Sequence, residues 1–316
     1  MHNAKSIPLS AHELRDAVRH GQRVDPSRLD RILRPEDNRG LIEVQASASW
    51  QAIANLLRPG DTQSEAASLR ATMRTIGDSI ARNTAGPDGR PAVTHVESLT
   101  LITPEGELRR VDRIAHSGLF ALVVGGQGLF GTLYSATLRV SSLLRSADET
   151  VKAGIPEPSN SDLNTLQLLI PPDALERFVA DAQARCDEWR VGVEGVDMRS
   201  VLPEADTLLR WARRQYTEVG LRLSTLSTIG GAVRDTQLRR ELIDAAIAAG
   251  GSFPISRTLV ATREQVEACY PELPAFLAEK RQLDPAEKLI NSWYLHHRNL
   301  FSRQSCAVRW RHQSES

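Results

Sequence analysis

The chain has 316 residues, of which 41% are hydrophobic and 25% are charged, so it is long enough for two globular domains with a sizeable core. Its 39 basic and 39 acidic residues cancel, a balance that points to neither a nucleic acid nor an anionic membrane as partner. The three cysteines, Cys186, Cys269 and Cys306, are scattered, which argues against a disulfide framework or a cysteine metal site.

Targeting and membrane signals are also missing from the sequence. The first residues lack the apolar run of a signal peptide, and no run approaches the roughly 18 apolar residues that a transmembrane helix needs. We therefore expect a cytoplasmic protein without a transmembrane segment. No metal-ligand spacing, nucleophile elbow or Walker loop occurs, so we predict no metal site and no hydrolase or kinase activity.

The first part of the chain predicts a helix, a connector, a strand and a second helix. Ser10 and Glu13 are spaced as a capping box before apolar residues at helical intervals, which predicts a helix over residues 11–20. Residues 41–45 alternate as a strand, and Ser49 caps a predicted helix over residues 50–57.

Glycines and small polar residues gather in residues 75–86, which read TIGDSIARNTAG. Such loops suit the oxygens of a phosphate or pyrophosphate, because each free backbone N–H carries a fixed partial positive charge. This stretch therefore predicts a cofactor cradle. His95 lies just beyond it, and we interpret this lone histidine as structural.

A second glycine cluster, at residues 126–131, spells G-x-G-x-x-G. This pattern indicates a dinucleotide site only when a helix follows it. Residues 132–140 instead contain β-branched and aromatic residues in partial alternation, which predicts a strand. We interpret the cluster as a tight turn that enters a strand. Before it, residues 99–111 predict a hairpin around a turn at residues 103–106.

The second half of the chain follows a segment without periodicity. Pro156 and Pro158, followed by serine and asparagine, indicate a domain boundary near residues 145–163. Beyond it, we predict strands at residues 166–170, 191–196, 219–223 and 252–260, and helices that begin at residue 171 and cover residues 205–215 and 235–249. This alternation predicts an α+β domain whose mostly antiparallel sheet is covered on one face.

Several linked motifs resemble the FAD-linked oxidases of the vanillyl-alcohol-oxidase type, which have a PCMH-type FAD-binding domain. Residues 76–86 are similar to the family's second flavin loop, V-G-G-x-I-A-x-N-x-x-G, and residues 96–107 to the V-x-x-L-x-L-x-x-x-x-G-E segment that follows it. Residues 119–120 and 125–131 match L-F and G-G-x-G-L-F-G, and residues 291–297 resemble the closing S-x-W-Y-x-H element.

The resemblance implies an α+β, two-domain FAD-linked oxidase fold. A shortened PCMH-type FAD-binding domain would occupy residues 1–145, and a mostly antiparallel substrate domain residues 146–301, with its last segment returning to the flavin domain before a tail at residues 302–316. The cofactor would be non-covalent FAD. The cofactor-binding residues implied by the matched motifs are Gly77, Asp78, Ser79, Ile80, Asn83, Gly86, Val93 and Asn291.

The chain departs from the family after its first helix. Relatives carry there a strand and a glycine-rich loop of the form R-G-G-G-x-S that wraps the FAD pyrophosphate, whereas here residues 18–24 run straight into residues 25–32. Losing roughly half of the pyrophosphate's donors, at about 1.5 to 3 kcal/mol each, would leave FAD weakly bound or lost. Arg19, Arg23 and Arg28 either substitute as donors or are solvated surface residues.

The implied function is an FAD-dependent oxidoreductase that oxidises a small alcohol, hydroxy acid, lactone or sugar-like substrate by hydride transfer to flavin N5. Arg257, the charged side chain of the predicted strand over residues 252–260, is the candidate catalytic residue, because a guanidinium can orient a carboxylate or stabilise reduced flavin. An exposed strand residue is the alternative for Arg257. The alternative function is a degenerate, non-catalytic relative that keeps the fold as a binding or interaction protein.

Overall fold

The computed structural model describes residues 5–35, 37, 39–57, 75–86, 89–143, 165–224 and 228–302. They form a mixed α+β structure with two antiparallel sheets and one short parallel pair between residues 5–6 and 23–24, which confirms the predicted class. The strands are β1 (Lys5–Ser6), β2 (Arg23–Val24), β3 (Ile32–Arg34), β4 (Leu41–Gln45), β5 (Val96–Ile102), β6 (Leu108–Asp112), β7 (Thr132–Arg139), β8 (Thr165–Ile170), β9 (Val193–Val201) and β10 (Tyr216–Leu223). The helices are α1 (Ala11–Arg19), α2 (Trp50–Leu57), α3 (Ile76–Arg82), α4 (Ser117–Val123), α5 (Leu175–Trp189), α6 (Ile229–Ala248), α7 (Arg263–Cys269), α8 (Leu273–Leu283) and α9 (Ser292–Ser302).

The larger sheet has five strands in the order β3-β4-β7-β5-β6, and each neighbouring pair is antiparallel. β5 and β6 form the predicted hairpin, in which Ile102 pairs with Leu108 and Gly106 adopts a φ of 82° in the turn. β7 begins directly after residues 126–131. A strand rather than a helix therefore follows the G-x-G-x-x-G stretch, as predicted.

Helix α1 begins where its sequence predicts. The Ser10 side chain accepts a hydrogen bond from the Glu13 amide, and the Glu13 carboxylate accepts one from the Leu9 amide. These bonds satisfy donors that the first turn of a helix leaves without intrahelical partners. The apolar face of α1, with Leu14 and Val18, packs against Leu29 and the β5 end in a small cluster of its own.

The smaller sheet has the antiparallel order β8-β10-β9, and helices α5 and α6 pack against each other beside it. Helix α5 buries Phe178, Ala182 and Cys186, which are four residues apart and so lie on one face. This half of the chain is therefore α+β with an antiparallel sheet, as predicted. The domain boundary predicted near residues 145–163 lies outside the described residues.

One hydrophobic cluster extends through both halves of the molecule. It contains Val44 and Leu99 from the larger sheet, Leu168 and Val219 from the smaller sheet, and Trp293 from α9. The two sheets therefore share a packed seam, and the cluster that fills it includes Ile80 and Val93, two of the residues predicted to bind a cofactor.

The helix predicted over residues 205–215 is wrong, because this segment is irregular. Its amides serve other partners: the Glu204 carboxylate accepts from the amides of Asp206 and Thr207, and the Leu208 amide donates to the Ala121 carbonyl in α4. These contacts tie the segment to the larger-sheet half, and they outweigh its local helical preference.

The strand predicted over residues 252–260 is also wrong. Only Ser252 forms a β-bridge, with Leu169, and the residues that follow it turn. The buried Tyr270 hydroxyl accepts from the Ile255 amide at 3.2 Å and donates to the Phe253 carbonyl, and Trp293 Nε1 donates to the Ile255 carbonyl at 2.9 Å. Side chains thus satisfy the backbone groups that a neighbouring strand would otherwise pair.

Candidate cofactor site and the adjacent cleft

The predicted glycine-rich cradle is mostly the helix α3. Thr75 caps its start by accepting a hydrogen bond from the Asp78 amide at 3.2 Å, and Asn83 ends it in the left-handed conformation with a φ of 49°. Threonine at the N-cap and asparagine at the C-terminal end are the residue types that such positions favour. The segment therefore has regular helical geometry rather than the open loop expected from its composition.

The amides of residues 76–79, at the start of α3, all have protein acceptors. The first four amides of a helix lack intrahelical partners, and such amides are the ones that bind anions. Here three of them are occupied by other parts of the protein: Ile76 N donates to Ala48 O at 3.0 Å, Gly77 N to Ala46 O at 2.7 Å and Asp78 N to Thr75 Oγ1 at 3.2 Å, while Ser79 N makes the first intrahelical bond, to Thr75 O at 3.1 Å. The end of the segment is similarly occupied, since Thr84 N donates to Ser79 O and Gly86 N to Arg90 O.

Close backbone packing explains the glycine at position 77. A Cβ there would lie 2.9 Å from the Ala46 carbonyl oxygen, so any larger residue would push α3 away from the end of β4. This steric requirement involves no ligand. The backbone of residues 77–86 thus does not fit the FAD pyrophosphate in the way that the resemblance implies.

Asn83 is fully buried and joins the two halves of the molecule. Its Oδ1 accepts from the Val93 amide at 2.9 Å, its Nδ2 donates to Glu204 at 3.3 Å, and its carbonyl accepts from Trp211 Nε1 at 2.9 Å. All three groups of this asparagine are therefore engaged with protein. Val93 is also buried, and its carbonyl accepts from Arg113 at 2.7 Å.

The other predicted cofactor residues on α3 have protein partners too. The Ser79 hydroxyl accepts from Trp50 Nε1 at 3.0 Å, Asp78 forms an ion pair with Arg82 at 3.0 Å, and Ile80 is buried in the core. The structure thus places Gly77, Asp78, Ser79, Ile80, Asn83 and Gly86 on or beside α3, and Val93 joins them through its hydrogen bond with Asn83. Their role in cofactor binding stays a prediction.

Sequence reasoning missed Glu204, the acidic centre of this seam. Its carboxylate accepts from Asn83, from the amides of Asp206 and Thr207, and from the Thr207 hydroxyl. Burial raises the pKa of Glu204, while the hydrogen bonds from Thr207 and Asp206 oppose that rise. No spacing pattern surrounds this glutamate, so the sequence carries no signal of its position.

Arg257 lies on the turn that follows Ser252, and its Nη1 donates to Gln167 Oε1 at 2.9 Å. Beside it, Arg199 and Glu218 form a mostly buried ion pair at 2.6 Å. The cavity that these side chains line has a volume of about 10 Å³, which is the space of a single water molecule. This cavity is too small for a substrate, and the catalytic role of Arg257 stays a prediction.

Asn291 stands apart from the seam and lines a cleft of about 530 Å³. Its Nδ2 donates to the Gln127 carbonyl at 2.9 Å, and its Oδ1 caps α9 by accepting from the Tyr294 amide at 2.9 Å. The residues lining the cleft come from three segments of the chain: Val18, Gly21, Gln22, Arg23, Val24, Pro26, then Gly128, Leu129, Thr132, and finally Lys288, Leu289, Ile290 and Asn291.

The cleft has a positive lining. Arg23 and Lys288 contribute two cations, and none of the described residues that line the cleft carries a carboxylate. Gly128 leaves open space, because a Cβ there would meet no atom within 4 Å. The volume lies within the range of about 300 to 1,000 Å³ that is usual for small-molecule sites. The cleft is therefore suited to a small anion with an apolar part.

The buried hydrogen bonds of Asn83 predict that this residue contributes to the stability of the protein. Replacing Asn83 with alanine should lower the free energy of unfolding by about 2 kcal/mol, because the buried Val93 amide loses its acceptor. Urea unfolding followed by circular dichroism measures this change. The exposed Asn299→Ala in α9 is the matched control, and equal stability of the two variants would contradict the structural role of Asn83.

A scan against protein-family models finds no match to this chain. A search of curated proteins finds none either. Across the described part of the chain, no helix is long and apolar enough to cross a membrane. The same residues contain no group of three or more histidine, cysteine, aspartate or glutamate side chains that could hold a metal ion.

Proposed function

We propose that this chain is a non-catalytic relative of the FAD-linked oxidases, one that keeps an α+β architecture as a binding protein. One observation carries the proposal: the amides of residues 76–79, where the resemblance implies a pyrophosphate, all donate to protein acceptors. A pyrophosphate would have to displace several of these bonds, each worth about 1 kcal/mol net, before it could gain any donor. The missing first flavin loop provides no compensating donors.

The cleft beside Asn291 is the proposed binding site. It brings together the junction at residues 18–26, the turn at residues 128–132 and the segment at residues 288–291. Arg23 and Lys288 supply charge to an anionic ligand, while Leu129 and Leu289 supply apolar contact. The ligand class is therefore a small organic anion. None of the described residues between positions 77 and 86 lines this cleft, so the proposal does not depend on α3.

An FAD-dependent oxidoreductase that acts on a small alcohol, hydroxy acid, lactone or sugar-like substrate is the second candidate. One specific observation favours it: two elements of the resemblance, the turn at residues 125–131 and Asn291, meet at the same cleft. The flavin would then lie in that cleft and depend on Arg23 and Lys288 for its phosphates. This candidate requires donors outside α3 to hold the cofactor.

Titration with FAD separates the two candidates. We expect the purified full-length protein to be colourless and to leave FAD fluorescence unchanged, with a Kd above about 1 mM, because the amides of α3 are occupied. Visible absorbance of the purified protein and fluorescence titration are the two measurements. A yellow protein, or one that binds added FAD in the micromolar range, would instead support the oxidoreductase.

A variant at the cleft tests where any bound flavin lies. The double variant Arg23→Gln/Lys288→Gln removes both cations from the cleft lining, whereas Arg34→Gln/Arg177→Gln removes two cations that do not line it. If FAD binds and only the first variant weakens it, the cleft is the flavin site. If FAD binds equally to both, the flavin does not lie in the cleft, and the cofactor site on α3 regains support.

A further inference from the structure

A second cavity lies among the C-terminal helices α7, α8 and α9 and has a volume of about 280 Å³. It shares no lining residue with the cleft beside Asn291. The residues that line it are Arg263, Pro274, Leu277, Arg281, Tyr294, Arg298, Phe301 and Ser302. Three of them are arginines and two are aromatic, and none of these described lining residues is acidic.

The three guanidinium groups differ in how they are paired. Arg263 forms an ion pair with Glu267 at 2.8 Å, and Arg298 binds both oxygens of the Glu287 carboxylate, at 2.8 and 2.6 Å. Both carboxylates lie outside the cavity lining. Arg281 is exposed in the last turn of α8, and no hydrogen bond or ion pair joins it to another described residue. Arg281 therefore retains its donors for a ligand.

Aromatic rings hold the other two arginines in place. The guanidinium of Arg263 lies 4.9 Å from the centre of the Phe301 ring, and that of Arg298 lies 5.5 Å from the centre of the Tyr294 ring. Stacking of this kind orients a guanidinium through cation–π attraction and limits its motion. Leu277 and Pro274 complete an apolar wall. The cavity thus combines fixed positive charge with apolar surface.

We propose that this cavity binds a small organic anion, a carboxylate or phosphate attached to an aromatic or apolar group. The planar fork of Arg281 matches the paired oxygens of either anion, and Phe301, Tyr294 and Leu277 would contact the apolar group. Residues 303–316, which follow α9, contain three arginines and one glutamate. That segment adds positive charge, so it does not supply the anion that the cavity requires.

Titration of the full chain with phenyl phosphate and with benzoate tests this proposal, and each is a probe of one anion type. We expect at least one of them to bind with a Kd at or below about 1 mM by isothermal titration calorimetry. Inorganic phosphate carries only the anion and phenol only the aromatic ring, so both should bind at least about tenfold more weakly than the preferred probe. The relative affinity of the two probes identifies which anion the site prefers.

Variants of Arg281 tie the binding to this cavity. Arg281→Gln should weaken the preferred probe about tenfold or more, since a charge-assisted pair is lost, and Arg281→Lys should restore part of the affinity. Arg177→Gln, an exposed arginine on α5, is the matched control and should leave the affinity unchanged. Because Arg281 is exposed, its variants should unfold at the same temperature as the native chain.

Two results would overturn the proposal. One is the absence of binding by both probes at concentrations up to about 10 mM. The other is binding that Arg281→Gln leaves at native strength, which would place the anion elsewhere. The double variant Arg23→Gln/Lys288→Gln changes only the cleft, so it should bind the preferred probe at native strength. That result would separate this cavity from the cleft, and the test is therefore independent of the proposed function.

Discussion

Replacing Asp284 with alanine should lower the free energy of unfolding by about 3 to 5 kcal/mol, because it would leave the Lys280 ammonium as an unpaired buried charge. Lys280 and Asp284 are 0% and 1% exposed, and they form an ion pair one turn apart at the end of α8. Removing one partner of a buried ion pair destabilises a protein strongly, whereas replacing both partners by apolar residues often changes its stability little.

Asp284 also holds the segment that follows α8. Its carboxylate accepts from the amides of Lys288 and Leu289, at 2.9 and 2.8 Å. Burial opposes ionisation of this carboxyl, but the hydrogen bonds from Lys280 and from the two amides lower the pKa of Asp284 below its ordinary value. Because residues 288–291 form one wall of the cleft, the Asp284→Ala variant should disturb the cleft as well as the stability.

Urea unfolding followed by circular dichroism measures the change, and Glu279→Ala, an exposed carboxylate on the same helix, is the matched control. The double variant Lys280→Met/Asp284→Leu removes both charges and should be more stable than Asp284→Ala alone. A loss below about 1 kcal/mol for Asp284→Ala would show that Lys280 reaches solvent or another partner after the substitution.

Local chemistry in the sequence predicted several elements correctly. The Ser10 cap fixes the start of α1, as the spacing of Ser10 and Glu13 predicted. Gly106 closes the β5–β6 hairpin with a positive φ. In each case the residues that define the element also supply its hydrogen bonds, within a few positions of one another. Such signals are readable without knowledge of the fold.

The elements that the sequence did not predict depend on distant partners. Tyr270 satisfies backbone groups of the segment expected to be a strand, and Glu204 binds amides in the segment expected to be a helix. The cradle expected at residues 77–86 has no free amides at its start because Ala46 and Ala48 accept from α3. Those acceptors lie about 30 positions away in sequence, and no local pattern reveals them.

At the candidate site, too, local motifs were readable in the sequence and contacts between distant residues were not. The motifs predicted a cofactor loop at residues 76–86, where the structure has the helix α3 with protein partners for its first amides, and the role of these residues in cofactor binding stays a prediction. No local pattern indicates that Glu204 and Trp211 fill the seam between the two sheets, because their contacts with Asn83 span more than 100 positions. Asn291 was predicted to bind the cofactor, and the structure places it on the wall of a positive cleft, apart from α3.

Acidification should destabilise the protein through two buried histidines. His297 is 0% exposed and packs on the Trp293 ring at 4.2 Å; its Nδ1 lies 2.9 Å from the Trp293 carbonyl. Its Nε2 is buried without a hydrogen-bond partner in the described structure. Burial, with a smaller contribution from His296, lowers the pKa of His297 to about 4, although the bond to Trp293 opposes the shift.

His95 has the same character in the other half of the molecule. Its Nδ1 lies 2.8 Å from the Ser142 hydroxyl, and the side chain is 3% exposed. Burial, assisted by the positive charges of Arg90 and Arg139, lowers the pKa of His95 to about 4. Both histidines are therefore neutral in the folded protein at pH values where an unfolded chain would already have protonated them.

The sign of the effect follows from proton linkage. Between the ordinary pKa of 6.5 and the folded value of about 4, the unfolded chain binds more protons than the folded one, so stability falls as the pH falls through this window. At pH 5 each histidine should cost about 2 kcal/mol relative to pH 7.5, or about 4 kcal/mol together. The raised pKa of Glu204 acts in the opposite sense and offsets part of this loss.

Comparison of variants isolates the histidine contribution from that of Glu204. Urea unfolding at pH 7.5 and pH 5 should show that His297→Phe loses about 2 kcal/mol less on acidification than the native chain does. The exposed His12→Gln is the control and should lose as much as the native chain. Asp284 and Glu287 have lowered pKa values, but they do not interfere with this comparison. Their contribution to the free energy of unfolding is lost only when the pH falls below the ordinary pKa of a carboxyl. An equal acid response of the native chain and His297→Phe would mean that the folded protein opens enough at pH 5 to protonate this histidine at no cost.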